Sequence, residues 1–288
     1  MEIIKSIIAG IITIVVAPLL GGLLSGIDRK LTARLQGRIG PPILQPFYDV
    51  IKLFGKELIV VNKLQLIWAW GFLGFAMASL VLLIVRGDLL TVAFTVGFAG
   101  ICLALGALSV RSPYSYLGGM RELMQMLSYE PILILSVVSI YSVTGSFMLR
   151  SVLEDRIPLI ARLPLVFLAL LLVLTIKMRK SPFDISTSHH AHQEIVKGVT
   201  TEYSGPYLGL IELGHWYELM LVLVFISLFW ANPPIVGIII ALAAFLSEMF
   251  VDVTWARLTW RWMLKVSWAL GLGLVAFNLM IVMFLRTR

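Results

Sequence analysis

Several acidic residues and one histidine lie within or at the edge of strongly apolar segments of the sequence. At the centre of a membrane-spanning helix such a charge costs about 2.5 to 3.5 kcal/mol, and side chains of this kind usually face a wet or protein-lined interior. Carboxylates and imidazole exchange protons readily when burial and neighbouring charges bring their pKa values toward 7. These residue types therefore suit a proton path, and the candidates are Glu130, Glu212, His215, Glu218, Glu248 and Asp252.

The spacing of these candidates favours their acting together. Glu212, His215 and Glu218 follow one another at intervals of three residues, so neighbours lie on overlapping faces of a helix. Glu248 and Asp252 stand four residues apart and share a face. The alternative interpretation is that each group only pairs with a basic residue or a backbone group at the membrane edge. It applies most directly to the last two residues, because they lie near the end of an apolar segment.

A second cluster contains histidines and a glutamate at short spacing: His189, His190, His192 and Glu194. Such groups can bind metals, but the HExxH spacing is absent, and a surface polar stretch or docking contact explains them better. The sequence also lacks a GxxxxGK[ST] motif, a GxGxxG turn and a Ser–His–Asp pattern. The single cysteine, Cys102, cannot hold an iron–sulfur cluster alone. We therefore predict that this chain contains no catalytic residue, metal or cofactor.

The elements that position these residues must be membrane helices. The chain has 288 residues, of which 59% are hydrophobic and 14% charged, whereas about a quarter of the residues in a soluble domain are charged. Apolar runs of about 20 residues can cross the hydrocarbon core of a bilayer. Eight candidate spans follow: 3–26, 66–86, 89–110, 129–149, 160–177, 206–230, 234–252 and 266–285. We expect the fifth to be tilted or partly buried, because prolines interrupt its start.

We therefore predict an all-α polytopic membrane protein with about eight transmembrane helices in one domain, residues 1–288. A further helix is predicted in the first long loop, where apolar residues recur at helical spacing and the polar Asp49, Lys52 and Lys56 take the other face. This pattern is typical of an amphipathic helix that lies in the membrane interface. Its apolar residues are Leu44, Phe47, Val50, Ile51, Phe54 and Leu58.

The distribution of basic residues predicts the orientation of the chain. Sixteen of the 23 Lys and Arg residues fall in the loops 27–65, 111–128, 178–205 and 253–265 or at the adjoining Lys177, and seven fall on the other side. Cytoplasmic loops retain such residues, so we predict a multi-pass protein of the cell membrane with cytoplasmic long loops and both termini outside. A protein partner is expected on the cytoplasmic face. The net charge of +7 thus reflects membrane orientation, not nucleic-acid binding.

Three stretches within the predicted cytoplasmic loops resemble the signature of the H-type (NuoH-like) membrane subunit of complex I. The first runs from Asp28 to Leu53 and contains LQGRIGPP. The second contains YLGGMR, residues 116–121, and the third contains SPFD, residues 181–184, with TEYSG at 201–205. By this resemblance, the docking and loop motif residues are Asp28, Arg29, Arg34, Gln36, Arg38, Gly40, Pro41, Arg121, Pro182, Phe183, Asp184, Glu194 and Glu202.

The resemblance implies a non-catalytic subunit that joins a peripheral redox module to an ion pump in the bilayer. The implied partners are hydrogenase-like large and small subunits, an iron–sulfur subunit and antiporter-like membrane subunits. Iron–sulfur clusters, and a nickel–iron site in a hydrogenase, would then belong to those partners. Within the family, the Ser and His residues after SPFD replace an acidic run that is usual in quinone-linked members. Glu122 and Leu123 also depart from the usual small residues, and Asp28 stands where glutamate is usual.

With these departures, the sequence most resembles one branch of the family, the membrane-bound nickel–iron hydrogenases that oxidise ferredoxin and move H⁺ or Na⁺. Two alternatives on the same plan are a membrane-bound sulfane-sulfur reductase and a quinone-reducing complex I. A stand-alone secondary transporter is the alternative from a different class. That class is expected to show internal repeats and helices broken at the midplane, and the two halves of this sequence show no repeat.

Overall fold

The chain is described by a computed structural model over residues 2–155, 157–183, 186–187 and 197–286. In this part of the chain the regular structure is helical, and no strand is formed beyond one isolated bridge between Asp88 and Met148. The prediction of an all-α protein is confirmed. The helices are α1 (Glu2–Leu35), α2 (Gln45–Phe54), α3 (Lys63–Ile84), α4 (Leu89–Leu108), α5 (Pro113–Thr144), α6 (Leu149–Glu154), α7 (Leu159–Arg162), α8 (Pro164–Lys177), α9 (Gly205–Ser227), α10 (Pro234–Thr254), α11 (Trp260–Val266) and α12 (Gly273–Arg286).

Within these described ranges, seven helices are long and apolar enough to cross a membrane. They are α1, α3, α4, α5, α9, α10 and the continuous helix Trp260–Leu285, in which α11 and α12 are joined by a π-helical segment, Ser267–Leu272. The fifth predicted span forms α8, which has only 14 residues and is therefore about 21 Å long. The protein is therefore a multi-pass membrane protein, and in the part of the chain that the structure describes one short apolar helix accompanies seven helices of spanning length.

A break between α7 and α8 explains why this span is short. Pro164 begins α8 and has no backbone N–H to continue a helix from α7. The side chain of Asn278 in α12 closes the break: its Oδ1 accepts a hydrogen bond from the Leu165 N–H at 2.9 Å, and its Nδ2 donates one to the Arg162 carbonyl at 3.2 Å. The buried amide thus satisfies backbone groups that the break leaves without a helical partner.

Two helices extend well beyond the apolar runs, and the predicted connection at 111–128 is largely helical. This segment forms the first half of α5, and α1 continues to Leu35 beyond the predicted end of its span. The physical reason is tertiary packing, because the polar end of α5 is buried by the chain around Val199. A Cβ on Gly118 would overlap the backbone at this residue, so the contact is close. Hydropathy marks where a helix leaves the bilayer, not where it ends.

The connections alternate between the two faces of the helix bundle, as the sequence predicts. On one face, which we call the loop face, Asn62 before α3 donates a hydrogen bond to the Ser109 carbonyl after α4 at 2.7 Å. The Ser181 N–H after α8 is bonded there to Asp252 of α10 at 3.0 Å. On the opposite face, the turn before α4 is bonded to the turn after α5, since the Leu89 N–H donates to the Phe147 carbonyl at 2.9 Å.

The predicted amphipathic helix is present as α2, on the loop face. Val50 is buried, and the ring of Phe47 packs edge-on against Trp216 of α9 with a centroid distance of 5.3 Å. Asp49 on the polar side forms an ion pair with Arg29 of α1 at 2.7 Å. Ile51 is largely exposed, with 67% of its surface accessible. The apolar face of α2 is therefore only partly covered by this chain, and its location in the membrane interface stays a prediction.

Candidate functional site

A buried ion pair lies where the loop-face end of α8 meets α9. Lys177 is the last residue of α8, and its Nζ lies 2.6 Å from the Oε1 of Glu218 in α9. Only 4% and 5% of the two side chains are exposed. The ammonium also lies 4.4 Å from the centroid of the Tyr129 ring in α5, a cation–π contact. Two charges are thus held out of water by three helices.

Arg179 extends this pair into a larger buried network. Its Nη2 lies 2.6 Å from the Oε1 of Glu122 in α5 and 3.9 Å from the Oε2 of Glu218, and its Nη1 lies 2.9 Å from the Nδ1 of His215. Burial by itself would lower the pKa of Arg179, but the carboxylates of Glu122 and Glu218 outweigh burial and raise it. We call Lys177, Arg179, Glu122, His215 and Glu218 the buried charge cluster. Its two cations balance its two carboxylates, which is what makes such burial tolerable.

A second group of charges lies beside this cluster, between α1, α8 and α10. Lys180 forms an ion pair with Asp28 and lies 3.6 Å from the Oδ2 of Asp252. Deeper in the protein, Glu248 accepts a hydrogen bond from the Thr175 hydroxyl at 2.9 Å. The other carboxylate oxygen of Glu248 is buried and has no hydrogen-bond partner among the described residues. Of the two acidic residues on α10, Asp252 is therefore paired with a cation, whereas only one carboxylate oxygen of Glu248 has a hydrogen-bond partner among the described residues.

A cavity of about 990 Å³ opens on the loop face and reaches both groups of charges. Its walls include Arg179, Glu212, His215 and Asp252. The volume is at the upper end of the range typical of ligand cavities, about 300 to 1,000 Å³. On the far side of the Lys177–Glu218 pair is a smaller gap, lined by α3, α4 and α9, with no room for a water molecule. The ion pair thus separates a cavity large enough for water from a dry gap.

Comparison with known proteins identifies the family. Residues 7–283 match the profile of the family described as NADH dehydrogenase. The chain belongs to this family. It is 28% identical to formate hydrogenlyase subunit 4 of Escherichia coli K12 over 96% of this chain and 98% of that protein. It is also 28% identical to the H subunit of NADH-quinone oxidoreductase from Syntrophotalea carbinolica, over 88% of each.

The solved structures contain a membrane protein of the same fold. A chain of the membrane-bound sulfane sulfur reductase, an archaeal respiratory membrane complex, superposes with a TM-score of 0.86 at 26% identity, covering 96% of this chain and 99% of that one. The predicted resemblance to the NuoH-like family is confirmed. Over nearly its whole length, the chain is similar to membrane subunits of several different redox complexes.

The structure brings most of the predicted acidic residues together at one end of the bundle. Glu212, His215 and Asp252 line the cavity, and Glu218 lies in the buried charge cluster. Glu130 lies apart, between α5 and α4, where its carboxylate packs against Gly97 so closely that a Cβ there would overlap it. The alternative interpretation, in which an acidic residue only pairs with a basic one, fits Glu218 and Asp252. These residues contact Lys177 and Lys180, respectively.

Six of the thirteen motif residues predicted for docking line the cavity. Arg34, Arg121 and Glu202 are not among its lining residues, and Asp184, Glu194 and the three clustered histidines lie outside the described residues. Phe183 is buried, and its carbonyl accepts a hydrogen bond from Gln125 at 2.8 Å, while the Pro182 carbonyl accepts one from the Leu258 N–H at 3.0 Å. The motif residues that line the cavity are Asp28, Arg29, Gln36, Arg38, Gly40 and Pro41.

Sequence reasoning missed Glu122, Lys177, Arg179 and Lys180 as parts of the site. The three basic residues contributed only to the charge distribution that predicts the orientation of the chain in the membrane. Glu122 was noted only as a departure from the family pattern. A signal was available, because three basic residues within four positions at the end of an apolar span need carboxylate partners if they are buried. Among the residues that the structure describes, no group of three or more His, Cys, Asp and Glu is placed to hold a metal ion.

Proposed function

We propose that this chain is the membrane anchor and coupling subunit of a ferredoxin-oxidising, complex I-related respiratory complex of the membrane-bound hydrogenase type. In this role it links a peripheral redox module to the translocation of H⁺ or Na⁺. The observation that carries the proposal is the buried charge cluster beside a cavity that is lined by six of the family motif residues. A purely mechanical anchor has no need of four charged side chains buried between its helices beside a partly exposed histidine.

The position of Arg179 supports a coupling role. It follows α8 in the connection that carries the SPFD motif, yet its side chain contacts Glu122, His215 and Glu218 within the bundle. A displacement of this connection by a docked partner would move the guanidinium away from one or more of these groups. The balance of charge within the cluster would change, and with it the proton affinity of the carboxylates and the imidazole. This is a route from a docking event to proton movement.

The proposed partners are peripheral hydrogenase-like large and small subunits, an iron–sulfur subunit and antiporter-like membrane subunits, with the metal cofactors in the peripheral subunits. We place the chain in the cell membrane, with the loop face cytoplasmic and both termini outside. Similarity to a formate hydrogenlyase subunit supports the hydrogenase assignment. Similarity to a sulfane sulfur reductase chain and to the H subunit of NADH-quinone oxidoreductase supports the two alternatives on the same plan. A stand-alone transporter has no comparable support.

Two experiments test the proposal. The first is purification of the chain with its native partners, followed by nickel analysis. Co-purified nickel supports the hydrogenase, whereas a complex without nickel favours the reductase or the quinone enzyme, and a chain that purifies alone overturns the anchor role.

The second experiment replaces Glu130, Glu212 or Glu218 with Gln in the assembled complex and measures ions moved per electron transferred. Glutamine keeps the size and hydrogen bonding of glutamate but cannot release a proton. We expect the ratio to fall while the detached redox arm stays active. Glu154→Gln is the control, because Glu154 is paired with Arg150 at the protein surface. Assembled variants that all keep the wild-type ratio would leave the chain as an anchor without a proton path.

A further inference from the structure

The start of the last spanning helix carries an unusual concentration of tryptophan. Four of the eight tryptophans in the chain lie between residues 255 and 268. Trp255, Trp262 and Trp268 are each more than half exposed, at 62%, 56% and 53%, and Trp260 is 36% exposed. Tryptophan is enriched where a membrane helix passes through the headgroup layer, since its ring is apolar and its N–H is polar.

The position of this segment agrees with the headgroup layer. The helix Trp260–Leu285 is apolar and long enough to span the bilayer, and it begins at the loop face, where Leu258 is hydrogen-bonded to the Pro182 carbonyl. The Trp268 indole N–H donates to the Leu127 carbonyl at 3.0 Å, which fixes its ring against α5. Further along the helix, the exposed side chains are apolar, including Leu270, Phe277 and Met280.

Two exposed cations lie among these rings. The guanidinium of Arg261 is 5.3 Å from the Trp260 ring, and the ammonium of Lys265 is 5.3 Å from the Trp262 ring. Four residues apart, Arg261 and Lys265 lie on the same helix face. Neither forms an ion pair within the part of the chain that the structure describes, and residues 253–288 contain no Asp or Glu. The surface therefore combines positive charge and aromatic rings, and residues 253–288 supply no carboxylate that could neutralise this charge.

We propose that Arg261, Lys265, Trp260 and Trp262 form a binding site for the phosphate headgroup of an anionic phospholipid. The two cations contact the phosphate while the rings lie at the level of the glycerol backbone. The acyl chains run along the exposed apolar side of the same helix, past Leu270 and Phe277. A lipid fits this surface better than an acidic protein segment does, because the charged end and the apolar continuation lie along one membrane-crossing helix.

The test compares the double variant R261Q/K265Q with the wild type in the native complex, reconstituted in nanodiscs of phosphatidylcholine with a minor fraction of brominated phosphatidylglycerol. Near an anionic surface each basic residue contributes a factor of about five, so we expect the variant to bind phosphatidylglycerol about 25-fold more weakly. Quenching of tryptophan fluorescence by the brominated lipid and lipid retention in native mass spectrometry are the readouts. The matched control K56Q/K63Q removes two exposed basic residues of the loop face that have no tryptophan contact in the described part of the chain, and it should bind like the wild type.

Three outcomes would overturn the site. Equal binding of phosphatidylglycerol by the wild type and R261Q/K265Q would show that the cations do not hold the headgroup. Displacement of the lipid by millimolar inorganic phosphate would identify a site for a free anion. Absence of quenching in the intact complex would show that another protein of the complex covers this surface.

Discussion

The Lys177–Glu218 ion pair provides a sharp test of the buried charge cluster. Both side chains are at least 95% buried, and their charged atoms are 2.6 Å apart. Replacing Lys177 with Met leaves the Glu218 carboxylate with His215 at 3.4 Å and Arg179 at 3.9 Å. Removing one partner of a buried pair costs about 3 to 5 kcal/mol, since the remaining charge is uncompensated. We expect Lys177→Met to lower the free energy of unfolding by about 3 kcal/mol, the lower end of this range, because Arg179 remains close to the Glu218 carboxylate.

The double variant Lys177→Met with Glu218→Gln is the informative comparison. Replacing a buried ion pair with neutral groups of similar volume is often close to neutral, so most of the stability should return. The assay is reversible unfolding of the purified full-length chain in bicelles, with the four members of the cycle measured together. The control cycle uses the exposed pair Arg150 and Glu154, whose side chains are about two-thirds accessible. We expect a coupling energy below about 0.5 kcal/mol there.

An additive result would refute the reasoning. If the double variant loses as much stability as the sum of the two single variants, then Lys177 and Glu218 do not compensate each other in the folded protein. The cluster would then owe its stability to Arg179 and Glu122, and the separation of the cavity from the dry gap would not depend on this pair.

Three further predictions concern topology, cofactors and the short helix. In a Cys102→Ser background, a cysteine placed at position 202 should react with an impermeant reagent only from the cytoplasmic side. Labelling from outside would contradict the predicted orientation. The isolated chain should contain no stoichiometric iron, flavin or haem by metal analysis and absorbance, because Cys102 alone cannot hold a cluster. Asn278→Ala should lower the free energy of unfolding by about 1 to 3 kcal/mol, since the Leu165 N–H and the Arg162 carbonyl lose their partners. An unchanged unfolding midpoint would contradict this role. The control is Asn232→Ala, which removes an exposed hydrogen bond.

The alternation of connections was predictable because it depends on local composition. An apolar run must lie in the bilayer, and basic residues collect in the loops on one side, so helix number and the two faces can be read from hydropathy and charge. The amphipathic α2 was predictable for the same reason, since its apolar residues recur at helical spacing. The motif residues around Gly40 and Pro41 were recognisable because the resemblance is carried by contiguous stretches.

The buried charge cluster could not be predicted, because its members come from three separate segments of the chain. Glu122 lies in a stretch that hydropathy assigned to a connection, whereas the structure shows this stretch as helical and packed against the chain near Val199. Arg179 reaches Glu122 across 57 positions of sequence, and Lys177 reaches Glu218 across 41. The sequence by itself determined which residues enter the membrane and which types carry charge there. The tertiary structure alone decided which charges meet, because the partner of a buried charge is set by how helices pack and not by spacing along one helix.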